Sequence, residues 1–217
     1  MTKPQTRTLK AKQCKVGGEQ FIPVRQFQPT CFEHASEYLR LQRKKKEKKE
    51  GVIRRKKIKV MKEKIMSYSN WQARLQPEVN HIARLIDYGI SCVSCDKYTG
   101  KMNGGHYHSQ GGNPMIRFNL HNIFKQTFHC NHHKSANIKG FNKGLVRMYG
   151  KEYHEYVEFG LVREYKSVKP SIPELQEAIK TAREIVKSMK EENKVRTPQE
   201  RIRMRRVLNR LIGIYPK

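Results

Sequence analysis

The stretch from Cys92 to Lys134, CVSCDKYTGKMNGGHYHSQGGNPMIRFNLHNIFKQTFHCNHHK, constrains this chain more than any other. It carries three of the five cysteines and six of the nine histidines of a 217-residue sequence. Cys92-x-x-Cys95 is a spacing from which two thiolates reach one zinc ion, and Cys130 offers a third. Between the two ends stand His106, behind two glycines, and Asn122 in an apolar setting. Asn131, His132, His133 and Lys134 follow Cys130 directly. A fold pinned by metal, with a separate histidine and asparagine for chemistry, is the economical reading. Each motif alone has a plain explanation: a CxxC pair can be redox-active or structural, and asparagine commonly caps a helix. Their joint order is not explained that way.

The order CxxC, GH, Asn, CN-x-x-K resembles that of the HNH, or ββα-metal, nucleases. The segments GGHY, RFN-x-x-NI-x-KQ, CN-x-HKS-x-N and LVRMYG narrow it. They are similar to the phage NinG (Rap) recombination endonucleases, most densely over residues 90–150, and more distantly to phage endonuclease VII. The resemblance implies an α+β, mostly helical fold in which a small ββα-metal, zinc-knuckle core carries basic helical extensions. It also implies a metal-dependent endonuclease that hydrolyses phosphodiesters in branched DNA, such as Holliday junctions and D-loops, beside a host RecA-type recombinase.

In that pattern His106, ending the first strand, is the general base, and a neutral imidazole suits the task. Asn122, on the return strand, orients it by hydrogen bonding. Asn131, opening the next helix, presents a hard amide oxygen to Mg²⁺ or Mn²⁺. Most HNH sites have a metal-binding carboxylate just before the histidine; here that position is Gly105, which leaves His133 or His108, with DNA phosphate, to complete the site. A structural zinc is expected on Cys92, Cys95 and Cys130. The family's second knuckle is CxxC, whereas this chain has Thr127-Phe128-His129-Cys130. Either His129 or a more distant histidine closes the site, or zinc is held weakly, or the core stands without it. The expectation is zinc retained with a substituted fourth ligand.

Charge points to the partner. The net charge is +27, from 46 Lys and Arg against 19 Asp and Glu. Such an excess repels itself unless a polyanion is present. No apolar run approaches a membrane span and no signal peptide opens the chain, so nucleic acid is favoured over a membrane, and a cytoplasmic setting is expected. Scattered cysteines in odd number argue against a disulfide framework. Two active sites would suit a four-way junction, so a homodimer is a further expectation. The competing reading is a non-catalytic, zinc-stabilised nucleic-acid-binding protein; a basic ribosome-associated protein is a third.

Only 36% of residues are hydrophobic, which predicts a small core with helical arms. Four segments follow: a degenerate zinc-module-like segment over 1–35, a basic helical arm over 36–66, an HNH-like core over 67–160 and C-terminal helices over 161–217. Residues 1–12 read as frayed. NinG-like chains often carry a Cys-rich zinc module near the N-terminus, and Cys14, Cys31 and His34 resemble a worn copy of it. Three ligands fall one short of a closed site, which favours a small hairpin with reduced cysteines. Residues 43–64 hold 13 basic residues against 3 Glu. Lys44, Lys45, Lys46, Arg54, Arg55, Lys56 and Lys57, with Lys134, are candidate phosphate contacts; the alternative for the run is a solvated spacer. A helix or two, broken near Gln76-Pro77, should bury Trp71, Leu75, Val79, Ile82, Ala83 and Ile86. Leu145, Val146, Met148 and Tyr149 should cover the hairpin, with Tyr153, Tyr156, Val157 and Phe159 extending that surface by packing rather than by base stacking. Ser171 to Glu174 and Thr197 to Glu200 are capping boxes. The first opens a helix packing through Leu175, Ala178, Ile179, Ala182, Ile185 and Met189. The second opens a helix whose Arg201, Arg203, Arg205, Arg206 and Arg210 touch phosphates while Ile202, Val207, Leu208 and Leu211 pack.

Overall fold

The computed structural model describes residues 9–192 and 194–215. Of the stretch expected to fray, residues 1–8 lie outside the described residues, whereas Lys12 is in a strand. The chain is α+β and mostly helical, with two two-stranded antiparallel sheets. It separates into two compact units at Met66–Ser67. Among the described residues no helix is long and apolar enough to cross a membrane.

In the first unit β1 (Lys12–Gln13) pairs with β2 (Gln20–Phe21), and α1 runs from Ala35 to Lys64. Helix α1 is 30 residues long, about 45 Å at a rise of about 1.5 Å per residue. It buries no residue, because its apolar side chains are spread round the helix instead of forming a stripe. Leu39, Ile53 and Met61 are all exposed.

In the second unit α2 (Tyr68–Ile86) is the central element. Ser67 caps it, accepting the Asn70 amide at 3.3 Å. Trp71, Leu75, Val79, Ile82, Ala83 and Ile86 form its buried stripe, joined by Gln76. The expected break does not occur: α2 passes through Pro77 uninterrupted. Pro77 and Ala73, whose carbonyl loses its partner, are both exposed, so water meets the orphan oxygen.

One side of α2 packs on α6 (Ile172–Glu192), opened by the Ser171–Glu174 capping box. The other supports a hairpin of β3 (Met102–His106) and β4 (Ile123–Thr127), registered with Gly105 opposite Phe124 and His106 opposite Ile123. Pairing puts His106 and Gly104 on the face toward α2, and Gly105, Phe124 and Gln126 on the other. A wide turn over His129–His133 leads to α3 (Ile138–Tyr149), and α4 (Lys151–Glu155) continues through the wound turn Tyr156–Gly160 into α5 (Leu161–Glu164). Phe124, Phe141, Leu145, Tyr153 and Val157 form the core on that face, with Met148, Tyr149 and Tyr156 packed at its margin. Val146 and Phe159 were expected to join it and are exposed instead. On α6 the stripe turns slightly, burying Val186 in place of Ile185.

Helix α7 (Pro198–Ile212) opens with the Thr197–Glu200 capping box and overturns the reading of its arginines. Its inward face is Arg201, Arg205, Leu208, Asn209 and Ile212, while Val207 and Leu211 are exposed. Arg205 is fully buried and grips Asp87, at the end of α2, through Oδ1 at 2.9 Å and Oδ2 at 2.8 Å. It also donates to the carbonyl of Leu120 at 3.1 Å and lies over the Phe124 ring at 4.5 Å. Burial alone would lower its pKa, but the Asp87 carboxylate beside it raises it, so the guanidinium stays charged. Asp87 further accepts the Lys125 amide at 2.9 Å and the Tyr149 hydroxyl at 3.0 Å. Arg201 and Arg205 are therefore core residues; Arg203, Arg206 and Arg210 remain exposed.

Arg205→Ala should cost about 3–5 kcal/mol of unfolding free energy, since it strands a buried carboxylate. Arg206→Ala should stay within about 0.5 kcal/mol. Denaturant titration of the two variants checks this; a phosphate-contacting Arg205 would leave stability intact.

Candidate functional site

The knuckle is built on β4 and α3. Val93 donates its amide to Lys125 O at 3.0 Å, and Cys92 donates to Lys97 O at 2.8 Å, which folds residues 92–97 into a tight loop. Helix α3 lies on that loop because Gly144 has no side chain; a Cβ there would meet Val93 O at 1.6 Å. The sulfurs of Cys92, Cys95 and Cys130 lie within 4.8 Å of one another and could hold a metal such as zinc. Amides already point at them: Thr127 N lies 3.2 Å from Cys92 Sγ, and Asn137 Nδ2 lies 3.7 Å from Cys130 Sγ. Burial pushes the Cys130 thiol up. Burial acts likewise on Cys95, but the Lys97 amide and the neighbouring side chains outweigh it and bring its pKa down.

Thr127 occupies the fourth corner. Its hydroxyl is 3.7 Å from both Cys92 Sγ and Cys95 Sγ, and it accepts the Cys130 amide at 3.3 Å. His129, considered for that corner, is exposed and is not part of the thiol group; it lines an open cleft of about 460 Å³ beside it, together with Lys134. His133 is also exposed, its ring 5.5 Å from Phe128 and 5.6 Å from His129. Neither His129 nor His133 lines the cleft beside His106.

His106 is the last residue of β3 and only 9% exposed. Its Nε2 is 3.0 Å from the carbonyl oxygen of Arg117. A carbonyl can only accept, so Nε2 carries the proton and Nδ1 keeps its lone pair. Gln110 Nε2 lies 3.3 Å from Nδ1. Burial holds the imidazole down at about pKa 4, so it is neutral near pH 7. Asn122 does not touch it. The asparagine lies in the turn just before β4, not in the strand, and braces the loop: Oδ1 accepts His108 N at 2.8 Å, and Nδ2 donates to His108 O at 3.1 Å. It orients His106 only through backbone. His108 is anchored elsewhere, with Nε2 2.8 Å from Val157 O.

Besides Gln110 and the Arg117 carbonyl, His106 meets Gln76 on α2, a residue no motif marks. The Gln76 amide nitrogen is 3.2 Å from His106 Nε2, a contact between two donors rather than a hydrogen bond when Nε2 carries the proton. That nitrogen donates to Asn80 Oδ1 at 2.8 Å, while the amide oxygen accepts Arg117 Nε at 2.9 Å. Gln76, Asn80, Arg84, Arg117 and Asn131 line a cleft of about 620 Å³; His106 is not among its lining residues and meets it through Gln76 and Arg117, on its Nε2 side. Asn131 lies inside the wide turn over His129–His133 rather than at the start of a regular helix. The absence of a carboxylate before His106 has a packing cause: a Cβ at Gly105 would meet Gln126 Oε1 at 2.1 Å. Among the described residues no group of His, Cys, Asp and Glu able to hold a metal lies in this cleft. Its one carboxylate, Glu78, pairs with Arg183 at 3.0 Å. The protein's offer to a hard cation here is amide oxygen, Asn131 included.

The first unit yields a correction. Cys14, Cys31 and His34 are joined by Glu19, and the four ligand atoms lie within 4.8 Å of one another. Cys31 Sγ donates to Glu19 Oε1 at 2.8 Å, and His34 Nδ1 lies 2.9 Å from the same oxygen. The Cys31 thiol draws Glu19 down to about 2, and the carboxylate in turn pushes Cys31 up to about 11. Four donors could hold a metal such as zinc, where the sequence offered three. Glu19 escaped because it is an acid on the opposite arm of the small hairpin, outside the Cys/His pattern. Lys44, Lys45, Lys46, Arg54, Arg55, Lys56 and Lys57 lie exposed along α1.

The profile described as Bacteriophage Lambda NinG protein matches residues 6–192, and the chain belongs to this bacteriophage family. It is 29% identical over 171 residues to Protein ninG of Escherichia phage lambda, covering 73% of this chain and 82% of that one. Protein ninG of Enterobacteria phage H19B is 30% identical over 171 residues, covering 73% and 83%. Protein ninG of Salmonella phage P22 is 28% identical over 163 residues, covering 69% and 79%. No solved structure matches the chain.

Metal analysis of protein purified under reducing conditions should find up to two tightly held ions. Cys92→Ser should release one and lower the thermal midpoint, and Cys31→Ser should release the other. Thr127→Cys should tighten the first by supplying a fourth thiolate, read by competition with a chelator.

Proposed function

We propose that the protein is a metal-dependent, structure-specific endonuclease that hydrolyses phosphodiesters in branched DNA during phage recombination. The observation that carries this reading is the environment of His106: a neutral imidazole with its Nε2 proton committed to the Arg117 carbonyl and its Nδ1 lone pair facing Gln110. Gln110 marks where a water would stand, since an amide donor 3.3 Å away is readily exchanged for one. His106 would take that water's proton as it attacks phosphorus. Arg84 and Arg117 line the neighbouring cleft, which meets His106 on its Nε2 side, and offer positive charge to the DNA backbone there. A hairpin, a turn whose cysteines could hold a metal and a helix, in that chain order, support a ββα-metal reading. A bound Mg²⁺ or Mn²⁺ would offset the charge developing on the leaving oxygen, with Asn131 as its protein ligand and the remaining oxygens from DNA and water. Zinc is the ion proposed for the two cysteine clusters. The partners proposed are branched DNA and a host RecA-type recombinase, with the host cytoplasm as the setting and a homodimer as the form that meets a junction.

A second reading has a specific observation in its favour. The cleft lacks an unpaired carboxylate and Gly105 has no room for one, as in a zinc-stabilised DNA-binding protein without catalysis.

Cleavage of linear, forked and four-way DNA with added Mg²⁺ or Mn²⁺ separates the two. His106→Ala should reduce cleavage by at least about 10²-fold with binding little changed. The base is active when neutral, and burial depresses its pKa. The acid limb of kcat/KM should therefore lie near pH 4, with activity lost as pH falls through it, rather than near the ordinary histidine value. Asn131→Ala should reduce activity with partial rescue at high Mn²⁺. A protein that cuts DNA equally well without His106 refutes the assignment.

Salt tests the arm. The logarithm of DNA affinity should fall against log salt by about 0.9 per phosphate neutralised. Replacing Lys44, Lys45, Lys56 and Lys57 with Gln should flatten the slope measured by fluorescence anisotropy; an unchanged slope makes α1 a spacer.

A further inference from the structure

On the face of the hairpin away from His106, three tyrosines of α3, α4 and the turn after it stand side by side. The Tyr149 and Tyr153 rings are 5.1 Å apart at 41°, and those of Tyr153 and Tyr156 are 6.1 Å apart at 36°. They line an open cleft of about 580 Å³ together with His121, Lys151, Glu152 and Arg206. Lys151 pairs with Glu155 at 3.8 Å, and with Tyr153 only 9% exposed the open ring surface is chiefly that of Tyr149 and Tyr156. A second cleft of about 260 Å³ shares His121, Tyr156 and Arg206. The tyrosine hydroxyls are turned to protein partners: Tyr149 to Asp87, Tyr153 to His121 Nδ1 at 2.7 Å, and Tyr156 to Glu164 at 2.8 Å. What the cleft offers is therefore ring surface. His121 is only 4% exposed, and with Nδ1 held by Tyr153 its Nε2 has no hydrogen-bond partner among the described residues. Burial keeps this ring neutral, with its pKa down at about 3, so Nε2 serves as a hydrogen-bond group rather than a charge.

We propose that this cleft receives one unpaired base of a nucleic-acid strand, stacked against the tyrosine rings, hydrogen-bonded by His121 Nε2, with its phosphate at Arg206 and Lys151. Aromatic faces accept any base, and cations beside them follow the backbone. The chain's charge of +27 selects a polyanion over an apolar peptide as the occupant. The site lies outside the cleft beside His106 and supplies what that cleft lacks: a means of telling a strand with extrahelical bases from continuous duplex. It goes beyond the nuclease reading and does not need cleavage to hold.

The full-length protein, bound to gapped DNA carrying 5-iododeoxyuridine at the single unpaired position, is irradiated and the adduct located by peptide mass spectrometry. Adducts on Tyr149, Tyr153 or Tyr156 are expected. Tyr156→Leu and Arg206→Ala should each weaken gapped-DNA binding about tenfold, while fully paired duplex binds as before. Arg206 is exposed, so that variant retains the fold. Adducts confined to α1 or the His106 cleft, or equal losses for gapped and duplex DNA, overturn the proposal. Free thymidine monophosphate binding more tightly than gapped DNA overturns it in favour of a free-nucleotide site. Binding is the readout, so a failure of His106-dependent cleavage leaves the result interpretable.

Discussion

Arg205 reaches Asp87 across 118 positions of sequence, and the second unit is assembled around that contact. The carboxylate sits where α2 ends and takes hydrogen bonds from β4, α3 and α7. One buried charge pair thus ties the helix under the hairpin to the helix over it and fixes the strand that carries the knuckle. Burying both ions is expensive, and hydrogen bonds offset part of that cost. The two Asp87 oxygens accept four hydrogen bonds from three donor atoms, and Arg205 also meets Leu120 O, while its Nη1 is buried without a hydrogen-bond partner. Removal of either partner would leave the other charged in an apolar core.

From that anchor the hairpin is held in a pose that separates two chemistries. Strand alternation sends His106 toward α2 and Phe124 toward α3. The α2 side is polar, with Gln76, Asn80 and Arg117 arranged round the imidazole. The α3 side is aromatic, with Phe124, Phe141 and the tyrosine row. Gly104 and Gly105 are the hinge between them: a Cβ on the first would strike Asn80 of α2, and on the second Gln126. Packing against Gln126 thus favours glycine just before His106.

The two cysteine clusters could each hold a metal such as zinc, and they differ in the group that stands beside the thiols. At the knuckle the fourth corner is a hydroxyl, a poor ligand for zinc beside thiolate, yet Thr127 still accepts the Cys130 amide and keeps the turn in shape. In the first unit a carboxylate stands among two thiols and an imidazole, a donor set within zinc's usual range.

Much of this was legible in the sequence because it is local. The capping boxes at Ser171 and Thr197, the apolar stripe of α2, the charged α1 and the CxxC knuckle each follow from residues within a turn or two of one another. Family membership was legible as well, in the order of GGHY, CN-x-HKS and LVRMYG. What was not legible needed side chains from distant parts of the chain. Periodicity marks a helix face but does not say that an arginine lies on it, so Arg201 and Arg205 read as surface until Asp87 met them. Glu19 and Gln76 carry no motif, and each becomes part of a site only when the fold brings it within 3.2 Å of a histidine ring nitrogen. His129 and His133 match the expected composition, yet the wide turn after Cys130 leaves them exposed. The sequence by itself determined the main helices, the caps that open α6 and α7, and the charge. Only the tertiary structure decided which polar groups are buried together, because burial depends on what packs from across the chain.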